Sequence, residues 1–249
     1  MGCVDQRVFS YLCCDVMGYI DFTKLNQLEY GVFRRTSPYP WAIIDSLLDE
    51  DHYRLLIDNL PDKGIFDRSF GHKRAHGQKS HDRYSLTYHP DLDIPEPWEA
   101  FIAELTGKAY LGYLEDLFRT RSVQLEMHWH YTPTGCSVSP HCDQLSKIGA
   151  QIFYLNPEDE WDSSWGGETQ ILDDGGKFNR RSAPNFDAFE NAITPKAAGN
   201  HSLIFARTRN SWHGVSEITC PDDQLRKIFL VAIKTESRFQ NYKRRFDWW

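Results

Sequence analysis

From Ser122 onward the chain repeats with a period of two, and this limits its fold more than any other feature. Val123, Leu125, Met127 and Trp129 alternate with Gln124, Glu126, His128 and His130. In an extended chain that pattern sends the apolar set to one face and the polar set to the other. Further strands are expected over 148–156, 168–172, 201–207, 212–218 and 226–234, with Gly and Pro between them. Helices come first in the chain. After a short strand at 41–44, Asp49 or Asp51 can cap a helix that runs to the break at Pro61. Trp98, Phe101, Ile102 and Leu105 then recur at helical spacing, as do Tyr110, Tyr113, Leu114 and Leu117, with Gly107 separating the two sets. Helices followed by many short strands predict a mainly β domain, a sandwich or barrel buttressed on one face by helices. The interval 173–199 is too long for an ordinary connection and is expected to be a functional lid or disordered.

A chain of 249 residues that is 41% hydrophobic can bury one large core. The expected organisation is an extension over 1–37 packing on a single domain over 38–249, with its core at 122–236. No run reaches the roughly 18 apolar residues of a membrane span, and the amino terminus has no basic leader or cleavage site. Met1-Gly2-Cys3 lacks the Ser or Thr that myristoylation wants at position 6, which is Gln6. The six cysteines show no CxxC pair, so reduced thiols and a cytoplasmic location are expected. A formal charge of −7 argues against nucleic acid as a partner and leaves oligomeric state open.

The chemistry centres on Ser139-Pro140-His141-Cys142-Asp143. Residues two apart on an extended chain share a face, so His141 and Asp143 can converge on one point while Cys142 turns away to pack. His89-Pro90-Asp91 has the same spacing but is followed by Pro95 and Pro97, which suggests a loop. A third ligand can come from His213, in Asn210-Ser211-Trp212-His213-Gly214-Val215, or from His201. Two imidazoles and a carboxylate fill one face of an octahedral iron and leave three positions open. If oxygen takes one, the other two suit an α-keto acid. The second carboxylate of such a cosubstrate needs a buried cation, which Arg226 can supply, with Lys227 as the alternative. Alternation favours Arg226, because Ile228 and Leu230 share its face. His128-x-His130 could instead be a metal pair of a cupin-like or merely binding barrel.

With those residues in view, 131–233 resembles the iron(II) and 2-oxoglutarate-dependent dioxygenases, in particular their prolyl 4-hydroxylase-like branch. The matching pieces are Y-T-P-T-G before H-C-D, I-F-Y-L-N, W-G-G-E-T, S-W-H-G-V and R-K-I-F-L-V, in that order. The resemblance implies a double-stranded β-helix, a jelly-roll or cupin-like core with helices packed on one sheet. It implies His141, Asp143 and His213 as iron ligands and Arg226 as the anchor of the distal 2-oxoglutarate carboxylate. It also implies Tyr131 and Tyr154 as hydrogen-bonding partners of that cosubstrate, and Ile152 as a wall of its pocket.

The activity implied is hydroxylation of an unactivated C–H bond using Fe(II), 2-oxoglutarate and O2, with succinate and CO2 released and ascorbate as reductant. Because Asp143 keeps a carboxylate on the metal, hydroxylation is expected rather than halogenation, with desaturation or ring formation open. The expected substrate is a small molecule or amino acid, free or carrier-bound, with a protein side chain such as proline as the alternative. The basic stretch over 68–83, through Lys73 and Arg74, and Arg180 with Arg181 in the long loop, would face an anionic substrate or carrier.

Overall fold

The computed structural model describes residues 18–74, 77–179 and 181–235. Five helices precede or flank the β half: α1 (Phe22–Gln27), α2 (Tyr30–Phe33), α3 (Glu50–Asp58), α4 (Glu96–Leu105) and α5 (Lys108–Leu117). The strands are β1 (Trp41–Asp45), β2 (Asp67–Ser69), β3 (Arg83–Thr87), β4 (Gln124–Thr132), β5 (Val138–His141), β6 (Lys147–Tyr154), β7 (Gln170–Asp173), β8 (Asn191–Ile193), β9 (His201–Ala206), β10 (Trp212–Val215) and β11 (Arg226–Lys234). Every pairing is antiparallel, in a seven-stranded sheet ordered β1-β9-β6-β11-β4-β3-β2 and a four-stranded sheet ordered β5-β10-β7-β8. This is the double-stranded β-helix expected from the sequence.

The alternation in β4 and β11 decides which face carries what. Met127, Trp129, Phe229, Val231 and Ile233 turn to the helix side and join Trp98, Phe101, Leu105, Tyr110 and Leu114 in the main core. The ring centroids of Trp98 and Phe229 lie 5.1 Å apart, and those of Trp129 and Phe229 4.8 Å apart, so α4 is seated on the sheet by aromatic contact. The other face of the large sheet carries Ala150, Ile152, Tyr154, Leu203, Phe205 and Ile228, which meet Ile171 of β7 in a second cluster between the sheets. Asp49 caps α3 by accepting from the backbone N–H groups of Asp51 and His52 at 3.1 and 3.2 Å.

Three regions were less legible. Within 18–37, Leu25 and Phe33 are buried in the main core, and the backbone N–H of Tyr19 donates to Glu104 in α4 at 2.6 Å. The basic stretch over 68–83 is bracketed by β2 and β3, which extend the large sheet. The long interval 173–199 contains β8, paired with β7, and it places Phe178, Phe186 and Phe189 against Trp212. The described residues of that interval therefore pack on the small sheet.

Gly149 in β6 leaves no room for a side chain. A methyl there would lie 2.5 Å from Phe118 Cε1 and 2.5 Å from the Phe205 carbonyl oxygen. The second contact is backbone and cannot swing away. Gly149→Ala is expected to cost about 1–3 kcal/mol by overpacking, read as a lower urea midpoint with an unchanged denaturant slope.

Candidate active site

The inner faces of the two sheets enclose a cavity of about 360 Å³. β5 and β10 pair so that His213 stands opposite His141, which brings the imidazoles side by side with centroids 4.4 Å apart. Asp143 follows two residues beyond His141, and Arg207 Nε holds its backbone carbonyl at 3.2 Å. One donor atom from each of His141, Asp143 and His213 lies within 4.8 Å of the others, an arrangement that could hold a metal ion.

The protonation of the three groups suits that use. Nδ1 of His141 contacts the Ser139 carbonyl at 2.9 Å, and Nδ1 of His213 contacts the Ser211 carbonyl at 3.0 Å. A carbonyl can only accept, so each Nδ1 carries the proton and each Nε2 keeps its lone pair. Burial holds both imidazoles below their usual range, and for His141 the neighbouring His213 adds to the effect. Burial pushes the Asp143 carboxyl up, but Lys147, His213 and His141 outweigh it and bring it to about 2. Lys147 Nζ donates to Asp143 Oδ1 at 2.9 Å, which leaves Oδ2 to ligate a metal.

At another part of the wall lies Arg226, 4% exposed. Its Nε donates to the Gly167 carbonyl and its Nη2 to Thr169 Oγ1 at 3.3 Å. No carboxylate among the described residues pairs with it, and burial lowers its guanidinium below the usual range. Beside it the buried Tyr154 hydroxyl lies near Thr169 without a well-formed hydrogen bond. Ile152, Ile228, Leu230 and Phe205 form the apolar part of the wall.

Several expectations need revision. Tyr131 does not reach the cavity: it shares the helix-side face with Trp129, stacks on Phe66 at 4.3 Å and donates to the Pro61 carbonyl at 3.3 Å. The cavity face of β4 instead carries Glu126, His128, His130 and Thr132. Tyr131→Phe is accordingly expected to leave the requirement for any bound keto acid unchanged, at a cost of about 0.5–1.5 kcal/mol in stability. His201 pairs with Asp45 at 3.2 Å and stands apart from the cluster. Lys227 is absent from the cavity lining, as are Lys73 and Arg181, both of which are exposed. Arg180 lies outside the described residues. Arg74 does line the cavity, together with Arg83 and His81, neither of which was singled out as a site residue from the sequence. The R-Y-S-L-T alternation, with Tyr84 and Leu86 turned to the core, was the signal that could have placed Arg83.

Residues 127–232 match the family model described as the 2OG-Fe(II) oxygenase superfamily. In fold the chain is similar to a prolyl-4-hydroxylase from Pseudomonas putida, with 15% identity, a TM-score of 0.57, and 84% of this chain and 99% of that one covered. It is similar to a prolyl hydroxylase from Trichoplax adhaerens solved with a hypoxia inducible factor oxygen degradation domain peptide fragment, with 14% identity, a TM-score of 0.60, and 86% and 92% covered. SnoN, a non-heme alpha ketoglutarate dependent epimerase from nogalamycin biosynthesis, is similar at 11% identity and a TM-score of 0.53, with 86% and 84% covered. No curated protein matches the sequence.

Proposed function

We propose, from the premise that this chain is a member of the 2OG-Fe(II) oxygenase superfamily through residues 127–232, that it is a dioxygenase hydroxylating a C–H bond of a small molecule or amino acid. The observation that carries the reading is the buried Arg226, which has no carboxylate partner and opens on the cavity that also holds the His141, Asp143 and His213 cluster. Two neutral acceptors and the charge of Glu168, which is not in ion-pair range, leave a buried guanidinium costly, and a dicarboxylate whose other end reaches a metal would offset that cost. The orphaned Tyr154 hydroxyl beside Arg226 is a further donor for the same ligand. A cupin-like or merely metal-binding barrel gives Arg226 no role.

In this reading His141 Nε2, His213 Nε2 and Asp143 hold ferrous iron, and Arg226 with Tyr154 holds the distal carboxylate of 2-oxoglutarate. Iron, 2-oxoglutarate and O2 together supply the oxidising power, with succinate and CO2 released and ascorbate as the reductant that keeps iron ferrous. The protein's share is geometry. Ser139 and Ser211 fix the two imidazoles by accepting their Nδ1 protons, Arg207 anchors the Asp143 backbone, and Ile152, Ile228 and Phe205 exclude water. We place the enzyme in the cytoplasm on the strength of the free Cys136, Cys142 and Cys220. Among the described residues no helix is long and apolar enough to cross a membrane.

The domain organisation proposed is one oxygenase domain over 38–249 with an extension over 1–37; of these, 1–17 and 236–249 lie outside the described residues, and the main core takes in Leu25 and Phe33. A protein side chain such as proline is the second substrate reading, favoured by the peptide found with the Trichoplax enzyme of like fold. The test is a metabolite and peptide library incubated with the chain, ferrous iron and 2-oxoglutarate. The reading expects a one-oxygen mass gain in some member, matched by succinate. Metal binding with neither product would favour the binding-barrel alternative.

A further inference from the structure

With Arg226 assigned to the cosubstrate, the cavity still holds more positive charge than it balances. Its lining contributes Arg74, Arg83, Lys147 and Lys234 against Glu126 and Asp143. Lys147 pairs with Asp143 at 2.9 Å and Lys234 with Glu126, so both acids are taken. Arg74 and Arg83 have no carboxylate in ion-pair range among the described residues. Arg74 Nε meets the neutral Gln78 side chain at 3.3 Å. Arg83 Nη1 donates to the His81 carbonyl at 3.1 Å, while its Nε is buried with no partner at all.

The sheet aims Arg83 inward. In β3, Tyr84 and Leu86 pack into the helix-side core, so Arg83, Ser85 and Thr87 face the other way, with Ser85 opposite His130 and Thr87 opposite His128. The same register sets Arg83 beside Thr132, whose other neighbour is Arg226. Two strand spacings, about 10 Å, therefore separate the Arg83 and Arg226 backbones. They belong to different positions along one row of the cavity wall. Arg74 lines the same cavity as Arg83, and burial, then the charge of Arg74, depresses the Arg83 guanidinium. Arg74 is exposed at the mouth side of the cavity and Arg83 is half-buried; a guanidinium stays protonated, so the cost of the buried Arg83 Nε persists until an anion arrives.

We propose that Arg83 and Arg74 form a second anion subsite, facing the His141, Asp143 and His213 cluster, that takes an oxyanion of the primary substrate. The substrate class is then a small acid, a carboxylate or a phosphate ester, oxidised at a C–H bond near its charged group. The proposal rests on the reading of Arg226 given above, since that reading leaves these two cations without a task. A planar guanidinium pair offers several parallel N–H groups, which suits an oxyanion better than a neutral amide.

The test uses the full chain loaded with ferrous iron and 2-oxoglutarate without oxygen, titrated calorimetrically with N-acetylglycine, its neutral amide, and inorganic phosphate. At least one of the two anions should bind, one per chain, with the amide weaker by about tenfold or more. Arg83→Gln should weaken the anion by a similar factor, Arg74→Gln should weaken it too, and Arg83→Lys should restore part of the loss. Lys79→Gln, exposed and outside the cavity, serves as the control for the charge of the same stretch. Tighter phosphate than N-acetylglycine would assign a phosphate ester, and the reverse a carboxylic acid. Absence of anion binding beyond 2-oxoglutarate, equal affinity for acid and amide, or an unaltered affinity in both Arg83→Gln and Arg74→Gln would overturn the proposal. A failure of the cosubstrate reading shows separately, as 2-oxoglutarate binding indifferent to Arg226→Gln, and the anion titration can still be read in that case.

Discussion

Replacing His213 with alanine is expected to abolish iron-dependent turnover while the chain stays folded. His213 stands opposite His141 across the β5–β10 pair, and its Nδ1 proton is already committed to the Ser211 carbonyl, so Nε2 is free to bind. Among the described residues no other imidazole or carboxylate joins the cluster to replace it. Changes to groups that merely orient a metal ligand cost about 10–100-fold, so loss of the ligand itself should exceed that range in iron affinity and in rate. Asp143→Ala should behave alike, with the added effect of leaving Lys147 unpaired. His201→Ala removes a contact with the exposed Asp45 and should be mild. Equilibrium dialysis of iron against each variant, with circular dichroism as the fold control, checks the set. A dispensable His213 beside an essential His201 would contradict the ligand assignment.

Arg226→Met is expected to separate affinity from stability. Losing a charge-assisted contact to a desolvated anion costs about 2–5 kcal/mol, which at 1.4 kcal/mol per tenfold raises the 2-oxoglutarate requirement between about 30-fold and several thousand-fold. The fold should respond in the opposite sense or not at all. Without ligand, Arg226 is a buried cation lacking a carboxylate, and an apolar side chain of similar volume removes that penalty. The thermal midpoint of the unliganded variant should therefore hold or rise, although Gly167 O and Thr169 Oγ1 lose their donors. A fall in midpoint with unchanged 2-oxoglutarate affinity would make Arg226 a structural residue. Lys227→Ala, outside the cavity lining, should change neither quantity.

How far the sequence carried can be traced residue by residue. β11 coincided with the expected strand because the continuous apolar run over 228–233 is what a central strand covered on both faces requires, with Arg226 and Lys234 at its ends. His141 and Asp143 could be named because a two-residue spacing on a strand edge is a local property, whereas His213 was set above His201 only by resemblance, and the pairing of β5 with β10 had to be supplied by the fold. Tyr131 failed for the opposite reason. Its role came from resemblance, while the local pattern, in which Trp129 belongs to the core, already turned Tyr131 the same way. The alternation of β3 could turn Arg83 away from the core, but that it shares a wall with Thr132 emerged only when β3 and β4 were seen in register, since their partners lie tens of residues away. β8 is exposed at all three positions, so no apolar period announces it.

The central claim is that this cavity couples ferrous iron to 2-oxoglutarate. It is tested most directly by the succinate formed when the purified chain is given Fe(II), 2-oxoglutarate and O2, compared with Asp143→Ala under the same conditions. The account predicts more than one succinate per chain, dependent on Fe(II) and absent from the variant. Iron-loaded wild-type protein that yields no more succinate than Asp143→Ala would contradict it.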